Sequence, residues 1–431
     1  MHDRRTFLTG ATLTALLPVR DALADNGVLA PNAGWDDVRA QFALSDDLIH
    51  MSALLLASNP ASVRAAIERH RRALDADPVG YLNQNGNRLL EEARAAAGRY
   101  LEVPGSAIAL TDSTTMGIGL VYNGLRLKPG DEVLTTEHDF YATHEALRLA
   151  AQRTGAQVRR VALFEQPQEA SEDEIVARLA RAITPATRVL ALTWVHSATG
   201  LKLPLRRIAD AVEKINAARD EQTRVLICVD GVHGFGNQDA RLADLGCDLF
   251  MAGCHKWLFG PRGTGLIAGT ERGWQALRPI IPSFADGRSW TGWMNGHDPI
   301  GPTDATRMMP GGFKPFEHQW ALSEAFAFHD TIGKARVARR TAELAAQLKE
   351  GLAAIPRVTV YTPRAPQLSG GLVCFDVEGF TPPALVKRLR ERRVVATTTP
   401  YARSHARLTP SIINTPAEIE TALREIRALA G

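Results

Sequence analysis

The chain has 431 residues, of which 45% are hydrophobic, 23% charged and 6% aromatic, with 35 Gly and 24 Pro; this usage excludes collagen-like, disordered and coiled-coil classes. Lys and Arg exceed Asp and Glu by 50 to 47, a net charge of +3 without a dense basic block, so no nucleic-acid partner is expected and a small molecule is. At this length one compact core gives way to two domains, one large and one small.

Residues 1–24 read as a targeting segment. Arg4 and Arg5 precede an apolar run from Phe7 to Leu17, and Ala22-Leu23-Ala24 has the small-x-small pattern that a signal peptidase cuts. This is the pattern of a twin-arginine (Tat) signal cleaved after Ala24. The apolar run is far short of the roughly 20 residues that span a bilayer, so a periplasmic protein without stable membrane insertion is expected, its partner in transit being the Tat export machinery.

Residues 25–60 form an N-terminal segment expected to pack on the larger domain or on a partner subunit. Ser58-Asn59-Pro60 predicts the start of a helix over Ala61–Ala76, with Ser or Asn capping and Pro in the first turn. Over 61–285, apolar runs at Glu132–Leu134, Val158–Leu163, Arg188–Thr193 and Val225–Asp230 alternate with helical-period segments at Ala142–Arg153, Ser171–Arg181 and Leu205–Ala218. The alternation predicts an α/β fold with a mostly parallel sheet covered on both faces. Active sites in such folds gather at the carboxyl ends of the strands. Residues 286–316 belong to a Gly/Pro-rich, aromatic linker or active-site loop. Residues 317–431 read as a small α+β domain completed by the N-terminal segment: a long helix over Glu317–Ala354, short strands near Val358–Tyr361, Leu372–Val377 and Val394–Thr399, and a closing helix from Pro416.

Several chemistries find no footing. Cys228, Cys247, Cys254 and Cys374 lack C-x-x-C spacing and are expected as buried free thiols. The 12 histidines show neither H-x-x-x-H nor H-E-x-x-H, so no metal site is expected. G-x-S-x-G is absent. The string GPRGTG follows a lysine and runs into the apolar segment Leu266–Ala268, which is turn chemistry and not a dinucleotide fingerprint.

The most informative stretch is RVLICVDGVHGFG followed by CDLFMAGCHKWLFGPRGTG. The strand Val225–Val229 ends in Asp230, and His233 follows in a Gly-rich turn. A second strand, Cys247–Ala252, delivers His255-Lys256 onto a loop. Taken singly, such an Asp is a turn residue and such a Lys a solvated charge. Together, at neighbouring strand ends, they can face one pocket. Pyridoxal 5'-phosphate (PLP) needs such a pair: a carboxylate that keeps the ring nitrogen protonated and a lysine that forms a Schiff base.

D-G-x-H-x-x-G followed by H-K-W-x-x-G-P-R-G-T-G resembles the class V aminotransferase superfamily of PLP enzymes, and the HKW form resembles its isopenicillin N epimerase-like branch. DPVGYLNQNGNRLLEEARAAAGRYLEV and RLTPSIINTPAEI are similar to the same branch, so the resemblance runs from about Leu48 to the C-terminus. It implies the fold type I architecture, a large domain with a mostly parallel sheet of the seven-stranded type between helices plus a smaller α+β C-terminal domain, together with PLP and a homodimer. It implies that Lys256 forms the Schiff base and carries the proton at the substrate alpha carbon, that Asp230 pairs with the pyridinium, and that His233 bonds the phenolate oxygen. Ser113, Thr114 and Thr115 would receive the phosphate at a helix N-terminus, with His255 a further phosphate ligand. His138 or Tyr141 would stack on the cofactor. Ser197 would lie near the cofactor oxygen and His196 near the substrate. Arg407 would bind the substrate carboxylate with its bidentate fork.

Two departures stand out. Gly253 replaces a Ser that the family commonly has three residues before the lysine. The Gly-Thr pair through which a neighbouring subunit touches the phosphate has only Gly292-Trp293 and Gly312-Phe313 as candidates. Desulfurases of the superfamily attack with a cysteine on a loop before the arginine; Val394 to Arg407 holds none and Cys374 lies in an apolar strand, so sulfur transfer is not expected. Transamination, epimerisation, lyase chemistry and oxidative deamination stay open. Exported relatives tailor secreted peptides, the siderophore pyoverdine among them, so an amino acid or peptide residue is the expected substrate. An epimerase or aminotransferase of free amino acids is the alternative within this class, and a non-catalytic periplasmic ligand-binding protein the alternative outside it.

Overall fold

A computed structural model describes residues 29–431; the expected twin-arginine signal over residues 1–24 and its expected cleavage after Ala24 lie outside the described residues. The first strand is short, β1 (Ile49–His50). A seven-stranded sheet then comprises β2 (Ile108–Thr111), β3 (Glu132–Thr136), β4 (Gln157–Val161), β5 (Thr187–Thr193), β6 (Leu226–Asp230), β7 (Leu249–Gly253) and β8 (Gly265–Gly269), in the order β2-β8-β7-β6-β5-β3-β4. Strands β7, β6, β5, β3 and β4 run parallel and only β8 opposes its neighbours. The central strands are almost wholly buried, as expected where helices cover both faces. The edge strand β4 carries Arg159 and Arg160 and is partly exposed, which blunts edge-to-edge pairing.

The helices follow their own patterning. Leu205–Asn216 buries Leu205, Ile208, Ala209 and Val212, the apolar stripe of a helix on a sheet. In Glu172–Ala182 the Ser171 hydroxyl accepts from the Glu174 N–H at 3.2 Å and three acidic residues fill the first turn, satisfying the free N–H groups and the helix dipole.

The smaller sheet joins β9 (Val358–Val360), β10 (Val373–Val377), β12 (Thr397–Thr398) and β13 (Ala406–Leu408) in the antiparallel order β12-β13-β10-β9. Strand β11 (Val394–Val395) pairs in parallel with β1, so residues 49–50 are tied to the C-terminal region. Phe42 meets Phe259 edge-on at 5.0 Å, which seats the N-terminal segment on the loop after β7.

Three expectations are corrected. The long helix over Glu317–Ala354 is three helices, Phe316–Trp320, Leu322–Ile332 and Lys334–Ala353, with a break at Gly333, whose φ of 91° leaves the helical region. The linker at 286–316 contains a helix, Gly287–Asn295, capped by Asp286; Arg288 and Arg307 hold that carboxylate at 2.9 and 3.0 Å. Ser58 and Asn59 do not cap Ala61–Ala76. The N-cap is Pro60 without a side-chain bond, and Asn59 is used elsewhere.

Among the described residues no helix is long and apolar enough to cross a membrane, and no group of His, Cys, Asp and Glu is placed to hold a metal ion.

Large and small domains meet at Gly200. Its carbonyl accepts from the Gly370 N–H at 2.9 Å, and a Cβ there would fall 2.2 Å from the Leu372 carbonyl oxygen at a φ of 73°. Gly200→Ala is expected to lower stability by about 1–3 kcal/mol, read as a lower denaturation midpoint; an unchanged midpoint would show that the junction yields without cost.

Candidate active site

The cleft forms where the carboxyl ends of β5, β6 and β7 meet the helix Thr114–Gly124, the N-terminal segment and the small sheet. Asp230, the last residue of β6, is 2% exposed. Its Oδ1 accepts from the Val232 N–H at 3.0 Å, and no hydrogen bond to its other oxygen exists among the described residues. Burial pushes its pKa up, opposed by the Val232 N–H and by Lys256. Lys256 follows β7 by three residues and lines the same cleft. Its ammonium makes no ion pair and no hydrogen bond among the described residues. Burial and the Arg407 charge hold its pKa well below the usual range against the opposing pull of Asp230, the condition under which a lysine serves as nucleophile and base at neutral pH.

The loop carrying Lys256 is tied down from outside the sheet. Asn59 Nδ2 donates to the carbonyls of Phe259 and Gly260 at 3.0 and 2.8 Å, and the Ala57 N–H donates to the His255 carbonyl at 3.2 Å. Phe259 sits at a φ of 56°, a conformation that persists when the surroundings impose it.

His233 faces the cleft with its tautomer fixed. Trp257 Nε1–H donates to His233 Nδ1 at 3.4 Å; an indole nitrogen is a donor only, so the ring proton resides on Nε2. Burial and nearby cations keep this imidazole neutral, leaving one N–H to offer.

Ser113, Thr114 and Thr115 line the cleft at the start of Thr114–Gly124. The Ser113 hydroxyl caps that helix, accepting from the Met116 N–H at 3.1 Å. The first N–H groups of the helix have no intrahelical partner. Thr114 Oγ1 and His255 Nδ1 are buried and unpartnered. A Cβ on Gly253 would lie 2.9 Å from Thr114 Oγ1 and 3.1 Å from His255 Cε1. The place of the family's serine is thus filled by these two polar side chains, which accounts for the glycine.

Arg407, on β13, enters from the small sheet. It is 3% exposed and donates through Nε to Thr397 Oγ1 at 3.1 Å, through Nη1 to the Ser197 carbonyl at 2.7 Å and through Nη2 to the Thr398 carbonyl at 3.4 Å. Two of the five guanidinium N–H groups stay free for a ligand. Ser197 lines the cleft and its hydroxyl pairs with the Tyr401 hydroxyl at 2.8 Å.

Three expected site residues stand elsewhere. Tyr141 opens the helix Tyr141–Thr154 with 68% exposure and does not line the cleft. His138 stacks on Phe164 at 3.8 Å, its Nε2 accepts from the Leu163 N–H at 3.1 Å, and burial pushes its pKa down to about 3. His196 is fully buried beside it, at 5.7 Å between rings, and is pushed down by burial to about 4; neither histidine lines the cleft. The aromatic side chain in the wall is Phe140, set edge-on to Tyr401 at 6.0 Å. Asn59, Phe140 and Tyr401 were missed by the sequence reading; the only signal was Phe140's place between two aromatic candidates.

Residues 57–408 match the aminotransferase class-V family. The chain belongs to that family. It is 28% identical over 358 residues to the isopenicillin N epimerase of Streptomyces clavuligerus, covering 83% of this chain and 87% of the relative, and 29% identical over 350 residues to that of Amycolatopsis lactamdurans, covering 79% and 84%. A cysteine desulfurase of Pectobacterium atrosepticum is 24% identical, covering 76% and 79%. Among solved structures, a mutant of C-DES with glycine covalently linked to its PLP cofactor superposes with a TM-score of 0.81 at 22% identity, covering 90% of this chain and 98% of that one. This likeness shows the fold: the protein has the architecture of fold type I PLP enzymes.

As a class V member the protein is a PLP-dependent enzyme, and the cleft fits that cofactor. The free helix N–H groups, Thr114 Oγ1 and His255 Nδ1 suit a phosphate, Asp230 suits the ring nitrogen, and His233 Nε2–H suits the phenolate oxygen. Thr114→Val removes a hydroxyl that no protein group uses, so the denaturation midpoint of the apoprotein is expected to stay put. PLP affinity is expected to fall roughly ten- to a hundredfold, the worth of a hydrogen bond to a charged group. A destabilised apoprotein with unchanged affinity would assign the hydroxyl to the fold.

Proposed function

We propose that this PLP-dependent enzyme acts at the amino-bearing carbon of an amino acid or of a residue in a siderophore-type peptide of the pyoverdine kind, in the periplasm after twin-arginine export. The observation that carries the reading is the convergence of Lys256, Asp230 and Arg407 on one buried cleft. Bound PLP supplies an electron sink for charge developing at the substrate carbon. Lys256, poised by burial, holds or returns the proton there. Asp230 would stabilise positive charge on the ring nitrogen and so keep it protonated. Arg407 orients a carboxylate, so that the reacting bond is presented and not merely captured. The isopenicillin N epimerases among the relatives favour epimerisation, with transamination as the second reading.

A persulfide mechanism of the desulfurase type is disfavoured by the thiols. All four cysteines are buried and free, and Cys374, whose residue pairs with Arg407 across β10 and β13, has its pKa pushed up to about 12 by burial; such a thiol is inert as a nucleophile. Export is supported by Arg4, Arg5 and Ala22-Leu23-Ala24. A homodimer is supported by exposed apolar side chains that lie together in space, Phe284 (58% exposed), Trp290 (48%) and Trp293 (71%), with ring centroids 6.2 and 5.8 Å apart in turn, the kind of apolar surface that marks an interaction site.

The test is incubation of the holoenzyme in deuterium oxide with candidate amino acids and siderophore-type peptides, followed by chiral and mass analysis. Deuterium at the alpha carbon in both configurations marks epimerisation and an oxo product marks transamination; release of sulfide through a protein persulfide would overturn the reading. Lys256→Ala is expected to abolish turnover. Arg407→Lys is expected to raise KM about ten- to a hundredfold, because one ammonium cannot replace two parallel hydrogen bonds; an unaltered KM with a lowered denaturation midpoint would make Arg407 a prop of the small sheet.

A further inference from the structure

A second cleft, of about 840 Å³, opens between the helix Lys334–Ala353, the segment 364–371 and the loops that carry Lys202 and Asp239. Four cations line it, Lys202, Arg339, Lys349 and Arg364, against Asp239 and Glu350. Lys349 is 7% exposed. Its Nζ donates to the Pro363 and Arg364 carbonyls at 2.8 and 3.4 Å and to Ser369 Oγ at 2.9 Å, all neutral acceptors. Lys202 is partly buried and its Nζ donates to Gln238 Oε1 at 3.0 Å.

Among the described residues none of these four cations has an acidic partner within 4.0 Å, and the Arg339 and Arg364 guanidinium groups make no hydrogen bond. Of the other buried cations among the described residues, Arg94 pairs with Glu91 at 2.5 Å and Arg307 with Asp286 at 3.0 Å, while Arg407 in the catalytic cleft, like Lys349, meets only neutral acceptors. Burying charge without a counter-charge is costly, and neutral dipoles recover only part of the cost. The buried Lys349 ammonium and the partly buried Lys202 ammonium, with the unpaired guanidinium groups of the exposed Arg339 and Arg364 beside them, focus a positive potential into the cleft.

We propose that this cleft binds a small polyvalent oxyanion, a phosphate or a polycarboxylate. Lys202 has two N–H groups left for it and Arg339 and Arg364 their full forks, while Lys349, saturated by its three acceptors, contributes through its field. The site is tied to the catalytic cleft by one turn: it starts at Asp230 and His233, Asn237 Nδ2 donates to the Gly370 carbonyl at 2.5 Å, and it ends at Gln238, the partner of Lys202. An anion held here would therefore brace the small domain against the turn that carries Asp230.

The test is calorimetric titration of the PLP-loaded protein, whose cofactor phosphate already fills its own cradle, with inorganic phosphate and separately with citrate. One site per chain is expected, with affinity falling about tenfold or more in both Lys202→Gln and Arg364→Gln. Both side chains are removed without touching Lys349, which fastens its loop, so the variants keep the fold, checked by circular dichroism. Binding of phosphate alone assigns a phosphorylated ligand, and binding of citrate alone a polycarboxylate. No binding of either anion to the wild-type protein, or undiminished binding in both variants, overturns the proposal.

Discussion

Everything at the catalytic cleft depends on holding a carboxylate and an amine, both buried, at the ends of two adjacent parallel strands. Burial disfavours the charge on both Asp230 and Lys256, pushing the acid up and the amine down, while each opposes that shift in the other and so stabilises the other's charge. An amine at this depth with no partner in hydrogen-bond range, as at Lys256, is tolerated only where the fold is over-determined around it. The over-determination is visible. Register between β6 and β7 places Asp230 beside Met251, the Gly231 N–H bonds the Met251 carbonyl at 2.8 Å, and Asn59 locks the lysine loop from the N-terminal segment.

The second constraint is that the cleft is assembled from parts with separate cores. Arg407 belongs to the small sheet yet bonds the Ser197 carbonyl of the large domain, and Tyr401 bonds the Ser197 hydroxyl. Ser197 is therefore a fulcrum, gripped by two residues of the small domain while it faces the ligand space. Leu54 and Leu55 bring the N-terminal segment to the same space. A substrate meets all three parts at once, so displacement of the small domain changes carboxylate recognition before it changes the cofactor contacts.

The alternation of strands and helices was readable because buried parallel strands and amphipathic helices carry periods that local sequence expresses. The Asp230 and Lys256 pair was readable for a different reason: both chemical groups end apolar runs inside glycine-rich motifs. What escaped reading depends on distant contacts. Ser58-Asn59-Pro60 has the pattern of a helix start, but Asn59 finds its acceptors 200 and 201 residues away. In the segment 138–141 three aromatic side chains compete for one wall, and only the turn from β3 into Tyr141–Thr154 decides that Phe140 takes it while Tyr141 points to solvent. The break at Gly333 was hidden because helical periodicity continues on both sides of it.

The roles of Asp230, His233 and Arg407 all presuppose that Lys256 is the amine to which the cofactor attaches. Purified protein loaded with PLP, reduced with borohydride, digested and mapped by mass spectrometry tests it directly. The added pyridoxyl phosphate mass is expected on the peptide containing Lys256, together with loss of the yellow absorbance. A label on another lysine, or no label on a protein that nevertheless binds PLP and turns over substrate, would contradict it.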